Sequence, residues 1–232
     1  MINNFSFSTC CALLGIFLLS SCAAPTFRTI PKPIVFDEER KALSLEYMEE
    51  RYGVVKDEPV IEPKIIVLHW TAIPTLEASF NAMNPARLPG ARGDIGSASA
   101  LNVSTHFLVD RDGTIFRQLP DTAFSRHVIG LNDNAIGVEN VGSAEEPLTR
   151  AQLKANEAIV RYLTARYPIE YLIGHYEYQA FKGHELWKEQ DPDYLTVKTD
   201  PGKNFMKKIR RRVKDLGLLP APEIRSSQPE QK

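Results

Sequence analysis

Two histidines each follow a short apolar run, His69 after Ile65-Ile66-Val67-Leu68 and His175 after Tyr171-Leu172-Ile173-Gly174. The ends of strands are where α/β sheets assemble their sites. Taken singly, a histidine in such a place is more often a hydrogen-bonded structural residue than a ligand. Asp200, in Lys198-Thr199-Asp200, changes the weighing. Two imidazoles and one carboxylate make the open three-ligand set of hydrolytic zinc, with a fourth position left for water. Glu139 is a second oddity, a carboxylate inside the apolar run Ala135 to Val141. Asp200 also has a structural reading, because Asp-Pro-Gly suits a helix start with or without a metal.

The elements that must carry these residues follow from pattern. The run 64–68 is β-branched, too short for a helix and bounded by Pro63, so it predicts a buried strand with His69 at its end. Residues 104–109 and 114–119 flank Asp110-Arg111-Asp112-Gly113 and predict a hairpin turning at Asp-Gly. Residues 149–167 carry Leu153, Ile159 and Leu163 at helical spacing behind a Thr149 cap. A short strand at 171–174 delivers His175, a charged and aromatic loop spans 176–199, and Asp200-Pro201-Gly202 opens a last helix to about 216. Strands separated by helices predict one α/β domain with a central mixed sheet, over 61–218.

Five motifs in order carry a family resemblance: LHWTA at 68–72, STHFLVDRDGTI at 104–115, AIGVENVG at 135–142, IGHYEY at 173–178 and KTDPG at 198–202. The chain resembles the type 2 N-acetylmuramoyl-L-alanine amidases, relatives of T7-type lysozyme and the peptidoglycan recognition proteins, over about 64–210. The resemblance implies that fold, one zinc ion on His69, His175 and Asp200, and catalytic roles for Glu139 as proton acceptor and Lys198 as oxyanion partner. It implies hydrolysis of the amide between the lactyl group of N-acetylmuramic acid and L-alanine, in peptidoglycan or muropeptides. His106 is expected beside the site, in the substrate pocket or supporting it from behind, and Trp70 and Tyr176, next to ligands, to line a substrate groove. His127 departs from the family's His-x-Gly, since Val128 and Ile129 precede Gly130, and His184 is the rival ligand. The alternative reading is a recognition protein that binds peptidoglycan without cutting it; such relatives typically lack a zinc ligand. A stem peptidase is disfavoured, because neither His-Glu-x-x-His nor His-x-x-Glu-His occurs.

The N-terminus carries a separate signal. Residues 12–19 are an apolar core too short to span a bilayer, and Leu19-Ser20-Ser21-Cys22 resembles a lipoprotein cleavage site. The expectation is a signal peptide over 1–21, lipidation of Cys22, and a lipid-anchored tether over 22–60 whose amphipathic stretch Asp37 to Arg51 predicts a short helix. Ala23 after the cysteine resembles outer-membrane sorting, so the protein is expected on the outer membrane, facing the periplasm. All three cysteines, Cys10, Cys11 and Cys22, lie in this segment, so no disulfide is expected in the body. A formal net charge of -1 supplies no general pull toward nucleic acid. The Pro-rich polar tail 219–232 is expected to be disordered, the basic run from Lys207 to Arg212 to be a solvated helix face, and the protein to be a monomer.

Overall fold

The structure is a computed structural model that describes residues 27–90, 96 and 98–223. The expected signal peptide, Cys22 and the end of the tail, 224–232, lie outside the described residues. Among those described, six strands form one sheet: β1 (Ile30–Pro31), β2 (Ile65–Leu68), β3 (Phe107–Val109), β4 (Ile115–Arg117), β5 (Ala135–Asn140) and β6 (Tyr171–Gly174), in the order β1-β4-β3-β5-β2-β6. Only the β3–β4 hairpin is antiparallel; all other neighbours run parallel. Among the described residues four α-helices accompany it: α1 (Glu38–Tyr52), α2 (Leu76–Met83), α3 (Arg150–Thr164) and α4 (Lys203–Arg212). No helix among the described residues is long and apolar enough to cross a membrane.

The apolar run of β2 makes it the spine. Its four residues are all buried because neighbouring strands flank it and layers cover both faces. Alternation sends Ile66 and Leu68 into a core shared with Leu153, Ile159 and Ile209, and Ile65 and Val67 into a second core with Leu131, Tyr178 and Phe181. The hairpin forms as expected, with Gly113 at φ 89°, a left-handed value that a side chain disfavours. The expected cap also forms: the Thr149 hydroxyl accepts from the Gln152 amide while Gln152 returns a bond to the Thr149 amide, a capping box.

The reading of 22–60 as a tether is corrected from Phe27 onward. Asp37 caps α1, Gly53 closes it in the left-handed conformation, and Leu43, Tyr47, Met48 and Tyr52 are buried in the same core as Ile66 and Leu68. Arg40, 1% exposed, binds the carbonyls of Val35, Met83, Asn84 and Pro85, which fastens α1 to the end of α2. The physical reason is that the apolar face of α1 is completed by distant strands, which a local pattern does not reveal. The boundary at 218 shifts as well. The Leu219 amide donates to the Glu170 carbonyl and the Leu172 amide to the Leu219 carbonyl, so order runs past β6's edge before the tail begins.

Candidate active site

Parallel pairing sets β2, β5 and β6 in register, with Leu68 opposite both Val138 and Gly174. The residues that follow β2 and β6 therefore emerge side by side. His69 is held by its backbone, its amide donating to the Val138 carbonyl and its carbonyl accepting from the Asn140 amide and side chain. His175 opens a 3-10 turn whose Glu177 carboxylate accepts from the Gly174 amide at 2.8 Å and from Arg210 on α4 at 2.6 Å. The Tyr176 amide donates to the Asp200 carbonyl, which draws the third residue in ahead of α4.

The result is a small triangle. His69 Nδ1 and His175 Nδ1 are 3.0 Å apart, and Asp200 Oδ2 stands 3.2 and 3.1 Å from them. All three residues are buried, and among the described residues they are the one group of three placed to hold a metal ion. Tetrahedral zinc with bonds of about 2.0–2.1 Å separates its donor atoms by roughly 3.3 Å. The triangle matches that spacing to a few tenths of an ångström, so the residues present fit the ion that the donor types imply.

Electrostatics agree with lone pairs facing inward. Burial lowers the His175 pKa to about 4, against the opposing pull of Asp200, so its imidazole is neutral at pH 7. Burial pushes the Asp200 carboxyl up, but the adjacent His175 and His69 outweigh it and hold the acid well below the usual carboxylate range. A neutral imidazole and an ionised carboxylate are the ligand forms a metal needs.

The triangle forms part of the wall of a cavity of about 340 Å³, which Glu139, Lys198 and Trp70 also line. Glu139 shares a strand face with Ala135 and Gly137, and a register slip of one residue would have put Val138 or Asn140 there instead. Lys198 is half-buried at the rim, two residues before Asp200. Trp70 is thus placed to touch a ligand.

Two expected contacts are corrected. Tyr176 does not line this cavity; its ring packs against the core beside Gly174 and α4. His106 is fully buried with both nitrogens engaged, Nε2 donating to the Ala123 carbonyl at 2.9 Å and Nδ1 accepting from the Gly137 amide at 3.1 Å. It has neither surface nor a free nitrogen to offer a substrate. The rival ligand His184 sits elsewhere, with Nδ1 accepting from the Leu186 amide and Nε2 facing the Tyr171 hydroxyl.

Three contributions were not legible from pattern. Tyr47 of α1 and Arg126 line the cavity, Arg126 donating to the Leu101 carbonyl and the Tyr194 hydroxyl. His127 lies directly behind His69, its Nδ1 at 3.1 Å from His69 Nε2. The local signal for this contact is Gly137 within a strand, the mark of a close approach: a Cβ there would meet the His127 ring at 2.8 Å.

The chain is similar to several known proteins. The chain is 32% identical over 83 residues to the endolysin of Escherichia phage T7, covering 33% of this chain and 55% of that protein. It is 32% identical over 81 residues to mouse peptidoglycan recognition protein 3, covering 32% of this chain and 22% of that one. The match thus spans about half the length of the phage relatives. Among solved structures it is similar to the N-acetylmuramoyl-L-alanine amidase LysC from Clostridium intestinale, at 25% identity and a TM-score of 0.45, covering 67% of this chain and 90% of that one. Residues 59–203 match the sequence profile of Amidase_2, described as N-acetylmuramoyl-L-alanine amidase, and that span contains the triangle, Glu139 and Lys198. By that match the chain belongs to the Amidase_2 family of N-acetylmuramoyl-L-alanine amidases.

Proposed function

We propose that the protein is a zinc-dependent N-acetylmuramoyl-L-alanine amidase that hydrolyses the amide between the lactyl group of N-acetylmuramic acid and L-alanine. The observation that carries the reading is the buried His69–His175–Asp200 triangle opening on a cavity that also holds Glu139 and Lys198. Family membership supplies the substrate class. A zinc ion on these three residues would polarise the scissile carbonyl and bring the pKa of water down to about 7. Glu139 accepts a proton as water adds to the lactyl carbonyl and returns it to the departing amine of L-alanine. The Lys198 ammonium stabilises the charge that develops on the carbonyl oxygen. Trp70 forms an apolar wall against the sugar or stem. The complete ligand set favours this reading over a recognition protein that binds without cutting.

The role in wall turnover or recycling, and the setting on the outer membrane facing the periplasm, belong to the same proposal, supported by Leu19-Ser20-Ser21-Cys22. Metabolic labelling with a fatty-acid analogue should mark the protein and fail on Cys22→Ser. The activity itself is tested by digesting purified muropeptides with and without a chelator and identifying the products by mass. Chelator-sensitive release of a stem that begins with free L-alanine is expected. Tight binding with no cleavage in added zinc would replace the amidase with a recognition protein.

A further inference from the structure

His127 makes two contacts that together leave it no choice of tautomer. Its Nε2 lies 3.2 Å from the Ala135 carbonyl, an atom that can only accept, so the proton of the ring is on Nε2. In the neutral ring the other nitrogen, Nδ1, then offers its lone pair. That lone pair faces His69 Nε2 at 3.1 Å, with the rings nearly perpendicular. For this contact to be a hydrogen bond, His69 must bear its proton on Nε2, which leaves the Nδ1 lone pair directed at His175 and Asp200.

The surroundings fix His127 as firmly as its own bonds do. The Asn132 side-chain oxygen accepts from the amides of both His127 and Val128, and the Asn132 Nδ2 donates to the Tyr52 hydroxyl of α1. Gly137 supplies the space, because a Cβ at that position would meet the ring at 2.8–2.9 Å. The chain therefore runs Ala135 carbonyl, His127, His69, triangle.

We infer that His127 is a positioning residue that locks His69 in its Nε2–H tautomer and so presents Nδ1 as a metal donor. An orienting partner on the far nitrogen of a ligating histidine sets its tautomer and basicity, and its loss costs roughly 10- to 100-fold in metal affinity. Here that partner is a second imidazole in place of the usual carboxylate or carbonyl. The inference rests on the zinc reading for its consequence, but the tautomer itself belongs to the metal-free protein.

The test uses the full chain labelled with 15N-histidine. Long-range proton–nitrogen correlation spectra of the metal-free protein should place the protons of both His69 and His127 on Nε2. Competition titrations should then find zinc affinity roughly 10- to 100-fold weaker in His127→Phe. Affinity should largely recover in His127→Asn, whose side-chain oxygen can take the place of Nδ1 as acceptor. Gly137→Ala, which crowds the ring without deleting it, should weaken zinc binding with His127 still present. Far-UV circular dichroism identifies the variants that keep the fold. A proton on His69 Nδ1, or a folded His127→Phe with wild-type zinc affinity, overturns the inference. If the wild-type chain binds no zinc, the zinc reading fails, and the spectra alone decide whether the tautomer lock exists.

Discussion

Two buried polar clusters meet at His69 and solve opposite problems. On one side, Gln152, Asn156 and Asn140 form a network in which donors meet acceptors. Gln152 donates to the carbonyls of Val109 and Val141, Asn156 donates to Asn140 Oδ1 at 2.6 Å and to the Gln152 carbonyl, and Asn140 donates to the His69 carbonyl at 3.0 Å. On the other side, two ring nitrogens and a carboxylate oxygen crowd within 3.2 Å of one another. The first cluster is complete within the protein and holds α3 against the sheet. The second gathers lone pairs, an arrangement that is costly in a buried place without a cation to receive them. Burial and polarity are common to both; the balance of donors and acceptors separates a structural network from a candidate metal centre.

The comparison breaks most sharply if the second cluster is altered. His175→Ala removes one corner of the triangle, and the account predicts loss of zinc binding and cleavage to background, read by metal analysis and muropeptide digestion. Smaller losses are expected around it with zinc retained: about 10²–10⁴-fold in kcat for Glu139→Gln, and about 10²–10³-fold for Lys198→Ala. Variants that fall in activity because zinc has been lost would contradict the separate roles assigned to them.

The structural side predicts stability effects. Burial lowers the His106 pKa to about 4 from 6.5, so between those values the unfolded chain binds a proton that the folded chain does not. Stability from this residue is therefore fully present above pH 6.5 and declines as pH falls toward 4, by roughly 3 kcal/mol in all. Urea denaturation of the wild-type chain at pH 7 and pH 5 should show the decline, and His106→Gln should lessen it, the remainder coming in part from His175, which burial lowers in the same way. Asn156→Ala deprives Asn140 Oδ1 of its donor and should cost about 1–3 kcal/mol of stability, with zinc affinity near wild type. A large loss of zinc affinity in that variant would show that the two clusters are not separable.

Legibility in the sequence followed the range of the interactions. The hairpin turn at Asp112-Gly113, the Thr149 capping box and the strand that ends at His69 rest on neighbours within a few residues, and all were readable from pattern. The triangle spans 131 residues of sequence, from His69 to Asp200. Periodicity supplied only candidates for it, and the ordered motifs of the family selected among them. The substrate reading of His106 failed because nearness to the site in sequence motifs does not say which way a ring points, and here the ring faces backbone groups on both sides. The role of α1 and the contact of His127 with His69 were hidden for the same reason: each joins segments tens of residues apart, α1 through the Tyr52 hydroxyl on Asn132 and His127 through its own ring. Gly137 was the one local trace of that packing.

The most direct test of the account is zinc reconstitution of the chelator-stripped full chain, with muropeptide cleavage followed as the metal is added. The account predicts that activity rises linearly and saturates at one zinc per chain, with a stem carrying free L-alanine as product. Full activity in the stripped protein, or a product in which L-alanine stays attached to the sugar, would contradict it.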